Sequence, residues 1–377
     1  MSEEKTQVIH EDLNRSLQER HIQLIALGGA IGVGLFLGSA SAIEKAGPGV
    51  VLAYIIAGIA IFFVMRALGE LTVEYPVSGS FSAHAYQVLS PLAGYVSGWN
   101  YWYVWVVTCM AEITAVGVYV HLWLPDLPQW ISCLVALGLM TCANLFSVKA
   151  YGEFEFWFAL IKVVTIIFLI LTGVGMIVFG LGNDGIPVGI SNLTEHGGFL
   201  PHGIGGVFDT MLMVLFAYVG IEIIGVTAGE AADPEKNLSA AIDKVLYRIL
   251  LFYVLALLII MSIYPWDQLG HQGSPFVMVF EKLGITAAGH VINFVVITAA
   301  LSSCNSGIYS TGRMLYNLSL QGKAPKMFSA VSSNKVPYKA LGVSVVFMLI
   351  GVVLNYFLPA TVFEIITSVS AFACMVT

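Results

Sequence analysis

Ten runs of mostly apolar residues, each near the length of a bilayer-crossing helix, constrain this chain more than any other feature. About 20 apolar residues span the hydrocarbon core. The runs fall at roughly 21–44, 49–68, 91–123, 128–147, 154–181, 204–230, 241–264, 286–320, 338–358 and 361–377. The third and eighth are long enough to tilt or to project from the bilayer. Only 10% of the 377 residues are charged and 58% are hydrophobic, with a mean hydropathy of +0.86. A soluble domain carries about a quarter charged residues. The sequence therefore predicts an all-α, polytopic membrane protein.

The few cations are placed unevenly. With the N-terminus in the cytoplasm, Lys5, Arg15, Arg20, Arg66, Lys149, Lys236, Lys244, Arg248, Arg313, Lys323, Lys326, Lys335 and Lys339 fall on the cytoplasmic side. Lys45 and Lys282 fall outside, and Lys162 lies within a span. This asymmetry follows the positive-inside rule and predicts a multi-pass protein of the cell (plasma or inner) membrane. The first 20 residues are polar and lack the apolar core of a cleavable signal peptide. They read as a cytoplasmic tail, residues 1–20. The 182–203 link then divides five spans, 21–181, from five more, 204–377.

Two spans carry interruptions at matching places. The first, IALGGAIGVGLFLGSA, holds Gly28, Gly29, Gly32, Gly34 and Gly38. Each costs a helix interior about 1 kcal/mol relative to alanine, so the run predicts unwinding, although glycines also permit close helix packing. The sixth span, LFAYVGIEIIGVTAGE, sets Gly220 beside Glu222 in an apolar run. Broken backbone at membrane depth needs protein or a water-filled cavity around it. Its freed N–H groups favour a carboxylate and its freed carbonyls favour a cation. A zwitterionic amino acid presents both, and paired breaks in two halves are a transporter signature.

Glu112, Lys162 and Glu222 are ionisable residues inside spans. Such groups face a cavity or a partner, because a charge at the bilayer centre costs at least about 2.5 kcal/mol. They are candidate proton sites, or partners that tie helices together. Trp105 lies seven residues before Glu112 on the same face and is read as lining a cavity or the membrane interface. Glu44, Lys45 and Asp209 read as solvated span ends. The five cysteines lie in apolar runs without metal-ligand spacing. HExxH, GxSxG and P-loop patterns are absent, and the formal net charge of −7 offers no basic surface for nucleic acid. An enzyme, a metal site and a cofactor are not expected.

RHIQLIALGGAIGVGLFLGSA, AGPGVVLAYIIAG, FVMRALGEL, YGEFEFWFALIK, GVTAGEAADPEKNL, FYVLALLIIMSIYPW and ALSSCNSGIYSTGRMLYNLSLQGKAPK resemble the bacterial amino-acid permeases of the amino acid–polyamine–organocation superfamily, the proline- and threonine-type carriers above all. The resemblance runs from about residue 14 to the end. It implies two inverted five-helix repeats with discontinuous helices 1 and 6, and proton symport of a neutral amino acid.

The resemblance also assigns the site. The substrate carboxylate meets the backbone N–H groups of Ile31, Gly32, Val33 and Gly34. Its ammonium meets carbonyls of Ala30, Phe216 and Val219, beside Gly220, and Phe216 caps the pocket. Trp105 and Glu112 shape the side-chain end. Lys162 bridges helices 1 and 8 near Ser302 or Ser303, where sodium-coupled cousins hold their ion, and Glu222 is a second proton site. The family has twelve spans and this sequence ends within the tenth. A sodium-coupled carrier, or a non-transporting receptor or scaffold, are the rival readings.

Overall fold

The computed structural model describes residues 24, 31–74, 79–146, 148–227, 251–269, 274–282, 288–359 and 361–376, and the regular structure among them is helical. The first span is interrupted as expected. Ile31 and Gly32 lie in a bend, after which short helices α1 (Val33–Phe36) and α2 (Gly38–Ala46) follow with Leu37 between them. Gly28, Gly29 and Ala30 lie outside the described residues. A Gly-Pro-Gly turn leads into α3 (Val50–Glu74).

A short helix that the sequence pattern does not announce, α4 (Ser80–Val88), precedes the long α5 (Pro91–His121). Ser90 starts α5 by accepting the Ala93 N–H at 3.1 Å, and Pro91 occupies the first turn, where its missing donor is harmless. Then come α6 (Gln129–Phe146) and α7 (Val148–Phe179). The fifth span thus begins at 148 rather than near 154. Tyr151, placed ahead of that span by hydropathy, is buried on the helix itself, as is Glu155.

The sixth span divides into α8 (Gly203–Asp209), α9 (Met211–Ala217) and α10 (Ile223–Val226), with an irregular stretch at 218–222. Next is α11 (Leu251–Ile263). A further unforeseen helix, α12 (Pro275–Lys282), leads to α13 (Ala288–Leu320). The last two spans are α14 (Tyr338–Phe357) and α15 (Val362–Val376).

Helices α5 and α13 pack along each other at the centre, flanked by α6, α7, α14 and α15. Both are largely enclosed, whereas α7 buries only a narrow stripe. The peripheral helices turn apolar side chains outward. Phe63, Leu171 and Val353 are 66%, 66% and 53% exposed. Such faces suit hydrocarbon rather than water. Among the described residues, six helices are long and apolar enough to cross a membrane.

Candidate substrate and proton site

The break in the sixth span is built from two tight turns and one glycine. The Tyr218 N–H donates to Leu215 O and the Val219 N–H to Phe216 O, each at 3.1 Å. Gly220 then takes φ +113°, a backbone angle that a side chain would oppose. Its N–H donates to Glu222 Oε2 at 2.9 Å. The other carboxyl oxygen, Oε1, accepts Tyr101 Oη at 3.0 Å and Trp105 Nε1 at 3.1 Å. Glu222 therefore ties the opened backbone to α5. Trp105 belongs to this group and is fully buried against it, so it and Glu112, though on one face of α5, serve different breaks.

At the first break the partner is Glu112. Its side chain is 2% exposed, and the Ser303 hydroxyl and the Val33 N–H lie within hydrogen-bonding reach of its carboxyl. A Cβ on Gly32 would lie 2.6 Å from Glu112 Oε1 and 3.2 Å from Ser303 Oγ. Only glycine leaves room for the carboxyl to approach the opened backbone. An acidic side chain thus stands where the resemblance puts a substrate carboxylate. A buried carboxyl facing freed N–H groups is electrostatically sensible, and it also competes for them.

Gly34 and Gly38 have a different task. A Cβ on Gly34 would come within 2.7 Å of Ala217 Cα, and one on Gly38 within 2.7 Å of Met213 Sδ. These glycines let the two interrupted spans touch, which is the packing alternative raised by the sequence. Phe216 and Val219 are buried beside this contact. The Phe216 carbonyl accepts the Val219 N–H and is also approached by the Tyr218 N–H.

Lys162 on α7 is fully buried, within electrostatic reach of Glu155 on its own helix and Glu112 on α5. Ser302 donates its hydroxyl to Glu155 Oε1. The two serines offered as alternatives for Lys162 therefore serve one acid each: Ser302 faces Glu155 and Ser303 faces Glu112. Sequence reasoning missed Glu155. The signal was present, because seven residues are nearly two turns and bring Glu155 onto the face of Lys162.

Among the described residues, a cavity of about 510 Å³ lies beside the second break, lined by Met65, Phe81, Tyr101, Tyr218, Val219 and Glu222. It is largely apolar, with polar groups from the Glu222 carboxyl, the two phenols and Ser97. A second cavity, of about 600 Å³, lies at the opposite end among Glu44, Lys45, His202 and Asp209. Glu44, Lys45 and Asp209 are exposed there, as solvated span ends should be. Among the described residues, no three His, Cys, Asp or Glu side chains gather as metal ligands.

Two interrupted spans that meet at Gly34 and Ala217, each with a buried acid at its opening, recur in transporters. The family model for amino acid permeases matches residues 21–377. The chain belongs to the amino acid permease family.

It is 59% identical over 365 residues to the Uncharacterized amino acid permease YtnA of Bacillus subtilis (strain 168), covering 97% of this chain and 79% of that protein. The Probable threonine/serine transporter YbxG of the same organism is 52% identical over 367 residues, with the same shares. The Aromatic amino acid transport protein AroP of Escherichia coli (strain K12) is 46% identical over 366 residues, covering 97% of this chain and 80% of that protein. The permease is thus a multi-pass membrane protein that transports amino acids, and not an enzyme.

Proposed function

We propose that this permease imports a neutral amino acid by proton symport, alternating access between the repeats 21–181 and 204–377 around the two breaks. The observation that carries the reading is the position of Glu112. Its carboxyl lies against Gly32 and near the Val33 N–H, the groups offered to a substrate carboxylate. Two carboxylates do not share one set of N–H donors without a proton or a cation between them. Substrate entry therefore calls for Glu112 to take up a proton or to swing toward Lys162. This links occupancy by substrate to occupancy by a proton.

Ile31, Gly32, Val33 and Gly34 are the backbone donors of this reading. The carbonyls of Ala30, Phe216 and Val219 receive the ammonium. Lys162, between the acids that Ser302 and Ser303 serve, supplies a fixed cation where a sodium-coupled carrier would need a bound ion. A neutral substrate is supported by relatives whose printed substrates, threonine, serine and aromatic amino acids, all have uncharged side chains. The lysine-rich end is the cytoplasmic one on this reading.

Uptake of labelled threonine, serine, proline and phenylalanine into proteoliposomes tests it. Accumulation driven by an inward pH gradient, abolished by a protonophore and unchanged by sodium, is expected. Uptake that follows a sodium gradient overturns proton coupling. No uptake of any amino acid by correctly inserted protein favours the receptor or scaffold reading. Lys162→Ala should lose the dependence on the pH gradient, and full retention removes Lys162 from the mechanism.

A further inference from the structure

Glu155 is a fully buried carboxylate that the substrate site does not use. It sits two turns from Lys162 along α7, about 10 Å toward the lysine-rich end. Oε1 takes the Ser302 hydroxyl, while Oε2 has no hydrogen-bond partner among the described residues. The Asn305 amide and the Ser306 hydroxyl stand close by, and Asn305 Nδ2 is likewise without a partner among the described residues. A buried acid left half-satisfied needs an explanation, and one is a group that changes its protonation during a working cycle.

A polar path leads away from it. Ser306 Oγ and Tyr151 Oη share a hydrogen bond at 3.2 Å. The Tyr151 ring stacks on Tyr309, with centroids 4.2 Å apart and planes 6° from parallel, and the Arg313 guanidinium lies 3.9 Å over the Tyr309 ring. Glu112, Lys162 and Glu155 thus form a line of ionisable groups, continued through the hydroxyls of Ser306 and Tyr151, the latter in the first turn of α7. The charged group that acts on Glu155 is Lys162 on α7, while Tyr151 on α7 is reached through Ser306 and Tyr309 and Arg313 on α13 stand beyond Tyr151. Beyond Lys162 stands Glu112 on α5, and α6 contributes the amide of Asn144, which donates to Asn305 Oδ1 at 2.7 Å.

We infer that Glu155 is the release-side proton site of the carrier, receiving the proton from Lys162 and passing it by way of Ser306 and Tyr151 to cytoplasmic water. In the first step an N–H bond of the Lys162 ammonium breaks and an O–H bond forms on Glu155, leaving a neutral amine and a neutral acid. In the second the Glu155 O–H breaks, the proton goes to water, and the carboxylate is restored. Lys162 is then recharged from Glu112. This rests on the symport reading above.

Release of a proton is needed for net uptake, in which the empty carrier returns, but not for one-for-one exchange of substrate. Glu155→Gln in proteoliposomes should therefore keep exchange of labelled for unlabelled amino acid. Its net uptake driven by a pH gradient should fall roughly 100-fold or more, the usual loss of a proton-transfer group. Glu155→Asp should recover part of the net uptake.

Net uptake by Glu155→Gln at the wild-type rate overturns the proposal. So does loss of exchange together with net uptake in a variant that stays folded, which marks Glu155 as a structural counter-charge. If Glu155→Gln does not fold, Ser306→Ala carries the test. Reduced net uptake with intact exchange supports the path, and unchanged net uptake overturns it. Wild-type protein that exchanges substrate but ignores the pH gradient overturns symport and relay together, whereas retained uptake in the variant overturns the relay alone.

Discussion

Gly32 and Glu112 contend for one volume: a methyl group on the glycine would sit 2.6 Å from the carboxyl oxygen of the acid. Gly32→Ala should therefore leave the bundle folded while pushing Glu112 off the first break. Overpacking of this kind costs about 1–3 kcal/mol. We expect transport to fall far more than the thermal midpoint in detergent. Uptake kinetics measured beside thermal unfolding check this, and unchanged uptake refutes it.

Gly34→Ala should act the other way, on stability first. The new Cβ would meet backbone, Ala217 Cα at 2.7 Å, and backbone cannot swing aside. A loss of about 1–3 kcal/mol or more is expected, read as a lower thermal midpoint. At Gly138 on α6 and Gly342 on α14, a methyl group would have nothing within 4 Å of it among the described residues. Alanine there should be neutral or stabilising by up to about 1 kcal/mol, through helix propensity alone.

The Glu222 carboxyl is held by three donors, Gly220 N–H, Tyr101 Oη and Trp105 Nε1. Tyr101→Phe and Trp105→Phe each remove one. Each should cost about 1–3 kcal/mol, since a buried carboxyl loses one of its donors. The double variant should deviate from additivity, because both donors serve one oxygen. Unfolding of the three variants gives the coupling energy, and strict additivity would argue against a shared acceptor.

His84 gives a pH dependence. It lies on α4, between two spans, and burial lowers its pKa below 6.5. The folded state therefore resists the proton that the unfolded state accepts. The stability from neutral His84 is complete above about pH 6.5 and declines as pH falls below it. The wild-type midpoint should drop over that range, and His84→Leu should flatten the curve. An equal slope in both proteins would assign the dependence elsewhere.

Much of the fold was legible because membrane length and cation placement act on whole segments, and Gly220 betrayed its break by sitting beside Glu222. Legibility failed where tertiary contacts decide. α7 starts at 148 rather than near 154, and Tyr151 in that added stretch finds a buried partner on α13, which local hydropathy does not register. For the same reason Trp105 was grouped with Glu112 by helical spacing, although its indole N–H is taken by Glu222, 117 positions away in the chain. The short helices α4 and α12 carry no bilayer-length pattern and were invisible to that criterion.

Two of the three acids and bases in the central line ride on α7, the span with the least protein around it among the described residues. A mismatch between its length and the thickness of the hydrocarbon layer is accommodated in part by tilting. A thinner or thicker bilayer would shift Lys162 and Glu155 against α13, along with the contacts α7 makes to α6 and α12. If Lys162 and Glu155 carry the proton as inferred above, turnover in vesicles of graded acyl-chain length should vary with thickness even where substrate affinity does not.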